Sequence, residues 1–147
     1  MKRFSYWIIP LIVLFYAFAA TGQTYAKEIT LFDSKGEATA YIDTSDELTI
    51  YLWDGNPVAY LYDDDHVYGF NGKHLGWFID GIIWDNKGNA VGFIEGAVNM
   101  VTSIEPIKSI KSIKSIKSIR EIAPIKPMLS NRWSSLPLSI FLAMGAD

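Results

Sequence analysis

Two periodicities divide the chain. Between residues 29 and 94, apolar and polar positions alternate in short runs, the signature of β-strands with one face buried. Further on, Ile107, Ile110, Ile113, Ile116, Ile119, Ile122 and Ile125 return every third residue, mostly as Ser-Ile-Lys. Period three fits neither a strand nor an α-helix, on which the isoleucines would spiral away. It matches the three-residue turn of polyproline II, and Pro106, Pro124 and Pro127 flank the run. The pattern predicts an all-β body over residues 27–102 and an extended or disordered low-complexity linker over 103–130. Residues 131–147 turn apolar again. Trp133, Leu138, Phe141 and Leu142 are expected to dock on the body or on a partner, with Ser139 capping a short helix that ends at Gly145.

The body repeats itself four times. GEATAYI (Gly36–Ile42), GNPVAYL (Gly55–Leu61), GKHLGWF (Gly72–Phe78) and GNAVGFI (Gly88–Ile94) share a glycine, a tiny residue at the fourth position after it, then an aromatic and a large apolar residue. Upstream, Phe32-Asp33, Trp53-Asp54, Phe70-Asn71 and Trp84-Asp85 read as equivalent aromatic–Asp/Asn pairs. Each unit is expected to be one β-hairpin. Asp54-Gly55 and Asn71-Gly72 suit two-residue turns with both residues at positive φ, and the loops ending at Gly36 and Gly88 suit longer type I turns. Parity places Val58 with Tyr60 on one face and Ala59 with Leu61 on the other. Ala40, Ala59, Gly76 and Gly92 then suggest hairpins crowded about a common axis. A lone hairpin is marginal in water, so the four must pack together.

These motifs, together with YGFNGKHLGWF (Tyr68–Phe78) and GNAVGF (Gly88–Phe93), resemble the 4-fold beta flower domain of secreted or periplasmic bacterial proteins. The likeness covers roughly residues 29–100. It implies four hairpins set like petals about a pseudo-four-fold axis, and it brings no activity, substrate or catalytic residue. Other hairpin repeats, such as MORN repeats, have strict spacings that this chain does not meet.

At the N-terminus, Lys2 and Arg3 precede an apolar run from Phe4 to Ala20, the layout of a secretory signal. Residues 1–22 are read as that signal, with cleavage after Gly22 or as late as Ala26. At 17 residues and broken by Pro10, the run sits at the lower edge of what spans a bilayer. Localisation is therefore expected to be exported, periplasmic or secreted, with membrane contact only through the signal. The chain has no cysteine, which excludes a disulfide framework, a thiolate metal site and a Cys nucleophile.

Charge separates the two regions. Residues 27–100 hold four lysines against thirteen acids, a net of −9, and residues 101–147 hold seven cations against three acids, a net of +4. The acidic body argues against nucleic acid, and the basic arm suits an anionic envelope polymer or the body itself.

The candidate chemistry is sparse. Asp63-Asp64-Asp65 reads as a solvated acidic loop, because a calcium loop spaces its ligands along a turn. His66 is expected to stack opposite Trp77, and His74 to lie on the surface; two histidines so placed make no metal site. Asp33, Asp54, Asn71 and Asp85 are assigned to turns. No catalytic residue, cofactor or metal site is predicted. Tyr41, Tyr60, Trp77 and Phe93 occupy equivalent places and are the ligand contacts of the alternative reading, a carbohydrate- or cell-envelope-binding module with exposed aromatics. The leading reading is a non-enzymatic structural or interaction module whose partner the sequence does not identify, cell-envelope polysaccharide and another exported protein being the candidates.

Overall fold

A computed structural model describes residues 27–147; the predicted signal lies outside the described residues. Eight antiparallel strands close into one barrel in sequence order: β1 (Glu28–Phe32), β2 (Ala38–Asp43), β3 (Thr49–Leu52), β4 (Pro57–Tyr62), β5 (His66–Gly69), β6 (His74–Ile79), β7 (Ile82–Asp85) and β8 (Ala90–Phe93). Closure through Phe32 opposite Phe93 removes both sheet edges. The four petals are β1–β2, β3–β4, β5–β6 and β7–β8, as the repeats predicted.

The petal turns share one geometry, which differs from the expected mixture. In each, the glycine N–H donates to the carbonyl three residues back: Gly36 to Asp33, Gly55 to Leu52, Gly72 to Gly69 and Gly88 to Asp85. Only the glycine has positive φ, so all four are type I turns closed by a left-handed glycine. Asp54 and Asn71 therefore do not take the left-handed conformation. The primed two-residue turn sits at the opposite end of the barrel, at Asp80-Gly81, where φ is +54° and +80°.

A register shift accompanies every petal, between Leu31 and Phe32, Ile50 and Tyr51, Val67 and Tyr68, and Ile83 and Trp84. The extra residue on the partner strand is Thr39, Val58, Leu75 or Val91. Such a bulge re-aims its side chain, and Val58, Leu75 and Val91 join Ala59, Leu61 and Ile42 in the interior cluster. The simple parity that put Val58 beside Tyr60 fails for this reason.

The interior is filled from the C-terminus. Helix α1 (Leu138–Ala143) buries Leu138, Phe141 and Leu142 completely in the barrel cluster. Pro137 stands at its N-cap and no side chain caps it, so Ser139 is a helical residue and not the cap. A Cβ on Gly92 would meet the Leu138 side chain, and one on Gly76 the Phe141 ring and the Trp84 carbonyl. The tiny residues thus make room for a plug. Asn71 secures its far end, its Nδ2 donating to the carbonyls of Met144 and Ala146 at 2.9 and 3.3 Å.

Candidate functional site

Residues 103–130 contain no helix or strand. They run as an extended strap past all four petals in turn. The N–H of Ser103 donates to the carbonyl of Gly36, Ser112 to Gly55, Glu121 to Gly72 and Ser130 to Gly88, at 2.8–2.9 Å. These donors are nine residues apart, three turns of a three-residue repeat, so each petal meets the same face of the strap. A second set, Ser109 to Trp53 and Ser118 to Phe70, repeats the interval. The next position in that set is Pro127, which has no N–H to give.

The repeat sorts its side chains by direction. The cations face the acidic body. Lys108 and Lys111 reach Glu28 at 3.0 and 2.9 Å, Lys111 also reaches Asp43 at 2.5 Å, Lys114 pairs with Asp46 and Lys117 with Glu47. On the way they cross aromatic faces: Lys108 lies over Tyr41 and Trp53, Lys117 over Tyr60 and Arg120 over Tyr62. Burial opposes the charge on Asp43, but its bonds from Lys111 and Ser45 outweigh this and hold it below the usual carboxylate range. Asp46 is held low by Lys114 and by the Tyr51 hydroxyl. The apolar side chains face away. Val101, Ile104, Ile107, Ile110, Ile113, Ile116, Ile119, Ile122, Ile125 and Met128 are each between 90% and 96% exposed.

The four aromatics proposed as ligand contacts lie beneath the strap or inside the wall: Tyr41, Tyr60, Trp77 and Phe93 are 1%, 2%, 6% and 0% exposed. Each pairs across a petal boundary with another aromatic, namely Tyr51, Tyr68, Trp84 and Phe32. Counting back four residues from each turn glycine gives these partners. The sequence grouping of Phe32, Trp53, Phe70 and Trp84 was offset, because Trp53 and Phe70 belong to turns while Tyr51 and Tyr68 hold the strand position. The turn roles of the Asp/Asn set hold: Asp33 Oδ1 accepts from the N–H groups of Lys35 and Glu37, Asp54 from Asn56, Asn71 from Lys73, and Asp85 from Lys87 and Asn89.

The histidines meet. His66 lies opposite Trp77 with ring centroids 4.5 Å apart, as the register predicted. His74 is not on the surface: it is 4% exposed, and its Nε2 lies 3.0 Å from His66 Nδ1. The Asn86 amide donates to the His74 carbonyl and accepts from His74 Nδ1 at 3.1 Å. His74 is then the Nδ1–H tautomer, with Nε2 accepting from His66. Burial, and next the neighbouring His66, push the His74 pKa below its ordinary value. Beside it a crevice of about 550 Å³ opens, lined by Lys73, His74, Asp85, Lys87, Glu121 and Phe141 among others. Its two acids are engaged in structure. Asp85 holds its turn, and Glu121 Oε2 accepts the His74 N–H at 2.7 Å. Asp63 and Asp64 form an exposed left-handed turn, and no group of three metal-ligating side chains occurs among the described residues.

No similar characterised protein and no solved structure matches the chain. The family of 4-fold beta flower proteins matches residues 29–142. That span runs beyond the hairpins, through the whole strap and into the plug helix. With four hairpins closed about a pseudo-four-fold axis and matched over this length, the chain belongs to the 4-fold beta flower protein family.

Proposed function

We propose that this protein is an exported, non-enzymatic interaction module whose contact surface is the apolar stripe of the strap. The observation that carries this reading is the row of ten aliphatic or thioether side chains, each at least 90% exposed. Contiguous exposed apolar surface on this scale marks an interaction site. A non-enzymatic role is supported by the crevice acids, whose oxygens bind backbone N–H groups. Export is supported by Lys2, Arg3 and the apolar run after them. The sugar-stacking alternative needs four exposed ring faces, and burial of Tyr41, Tyr60, Trp77 and Phe93 weighs against it.

The test compares residues 23–147 with an Ile113→Ser/Ile116→Ser variant on cell-envelope polysaccharides, neutral and anionic vesicles, and co-exported proteins. Binding that persists in high salt and is lost in the variant supports the reading. Binding indifferent to the isoleucines, or turnover of any polymer, contradicts it. N-terminal sequencing of protein recovered outside the cytosol is expected to start at Gln23 or Lys27; recovery of Met1 contradicts cleavage.

A further inference from the structure

We infer that the crevice between the third and fourth petals binds a small zwitterion carrying an apolar group, the chemistry of an apolar amino acid or short apolar peptide. The inference goes beyond the apolar stripe, no residue of which lines this crevice.

The crevice exists because one petal lacks a filler. Two residues before the turn glycines stand Ser34, Trp53, Phe70 and Asn86. Trp53 packs edge-on against Tyr41 of the preceding petal, with ring centroids 5.8 Å apart, and Phe70 against Tyr60 at 5.7 Å. At the β8–β1 boundary, where Ser34 is small, Trp133 packs against Phe93 at 6.1 Å instead. At the β6–β7 boundary the residue is Asn86, whose amide is taken up by His74. The His74 ring packs on Trp77 at 4.9 Å but fills less space than an indole or a phenyl ring. About 550 Å³ stays open beside it, within the range of small-molecule pockets.

The walls carry both signs of charge. Lys73 and Lys87 are exposed and line the crevice. Neither is ion-paired among the described residues, whereas Lys108, Lys111, Lys114 and Lys117 each meet a carboxylate. Asp85 commits Oδ1 to its turn, and Glu121 commits Oε2 to the His74 N–H. Asp85 Oδ2 and Glu121 Oε1 accept no hydrogen bond among the described residues. An anion alone would meet the two acids, and a cation alone the two lysines. A zwitterion answers both.

The crevice also has an uncovered apolar side. Leu136 and Met144 line it and are 37% and 44% exposed, surface that an apolar group on the ligand would remove from water. Ser134 and Ser135 add hydroxyls that donate or accept. A neutral sugar fits less well, because it matches neither charge. The one aromatic ring of six carbons on the wall, Phe141, is 1% exposed and gives a sugar no stacking face.

The experiment follows residues 23–147 by amide NMR as leucine or leucyl-leucine is added. Isocaproate, which lacks the ammonium group, and isoamylamine, which lacks the carboxylate, are the single-charge probes. A Lys73→Gln/Lys87→Gln variant is titrated beside the native chain. Both lysines are exposed, so the variant is expected to keep its circular dichroism spectrum. The expected result is saturable shifts at His74, Asn86, Ser134 and Ser135 with a zwitterion. Its dissociation constant is expected to be at least about tenfold below that of either single-charge probe, and to rise at least about tenfold in the variant. Within that supporting result, tighter binding of leucyl-leucine assigns the site to peptides and tighter binding of leucine to free amino acids. Absence of shifts at about 10 mM, equal affinity for a zwitterion and a single-charge probe, or a variant that binds as the native chain does overturns the inference.

Discussion

Gly55 and Gly72 hold φ at +90° and +89°, and a Cβ on either would run into the carbonyl of Ile110 or Ile119 on the strap. Two constraints therefore meet at one atom. Gly96 has a similar φ of +86° with open space around it, so it isolates the backbone cost. Gly96→Ala is expected to lower stability by about 1–2 kcal/mol, and Gly55→Ala by at least about 1 kcal/mol more, measured by denaturant unfolding. Equal effects would mean that the strap does not press on the turn. At His74 the sign follows from its lowered pKa. The unfolded chain binds the proton more readily, so the contribution is complete above about pH 6.5 and is lost as pH falls through the lowered value. His66, Asp65, Glu121, Tyr68 and Asn86 are the polar neighbours that face it. Glu28, Asp43 and Asp46, also held low, lose their contributions only below about pH 4. The melting temperature is expected to fall below about pH 6.5 in the native chain and to stay level in His74→Gln until the carboxylates titrate. Coincident profiles would exclude His74 as the cause. None of this was visible from residue order, which put His74 beside a turn; the bulge at Leu75 and the strap at Glu121 bury it.

The helix and the strap are where sequence reasoning reached least far. Trp133, Leu138, Phe141 and Leu142 were legible as residues in need of cover. That the cover is the barrel's own interior depended on Gly76 and Gly92, whose small size reads equally well as hairpin crowding. Phe141→Ala empties the centre of the plug and is expected to cost about 3–5 kcal/mol, read by the same unfolding experiment; a cost below about 1 kcal/mol would place the helix outside the core. The strap's period was legible, but its meaning was not, because a three-residue repeat has no register of its own. Register comes from its ends: Pro127, the Ala90–Trp133 bridge and the helix. With that end held, deleting Ser112-Ile113-Lys114 preserves the repeat yet brings Pro106, without an N–H, to the Trp53 carbonyl. The deletion is expected to cost about 1–3 kcal/mol in lost and unsatisfied bonds. Unchanged stability would show that the strap slides freely.

Across the whole molecule, the repeat of the glycines made the four-fold body legible, and the opposite charges of body and arm made their contact one of two expectations, beside an anionic envelope polymer. The aromatic ring of Tyr41–Tyr51, Tyr60–Tyr68, Trp77–Trp84 and Phe93–Phe32 was missed, because Asp-Gly and Asn-Gly suggested the wrong turn and shifted the alignment by two residues. A single arrangement unites these features. A plugged barrel presents four equivalent turn carbonyls, and a nine-residue interval brings one strap N–H to each. This directs the lysines to the body and the isoleucines to the outside. Residue-resolved hydrogen exchange tests that arrangement most directly. Slow exchange is expected at Ser103, Ser109, Ser112, Ser118, Glu121 and Ser130, with fast exchange at the intervening isoleucines. Uniformly fast exchange from residue 103 to residue 130 would contradict the strap, and with it the outward stripe.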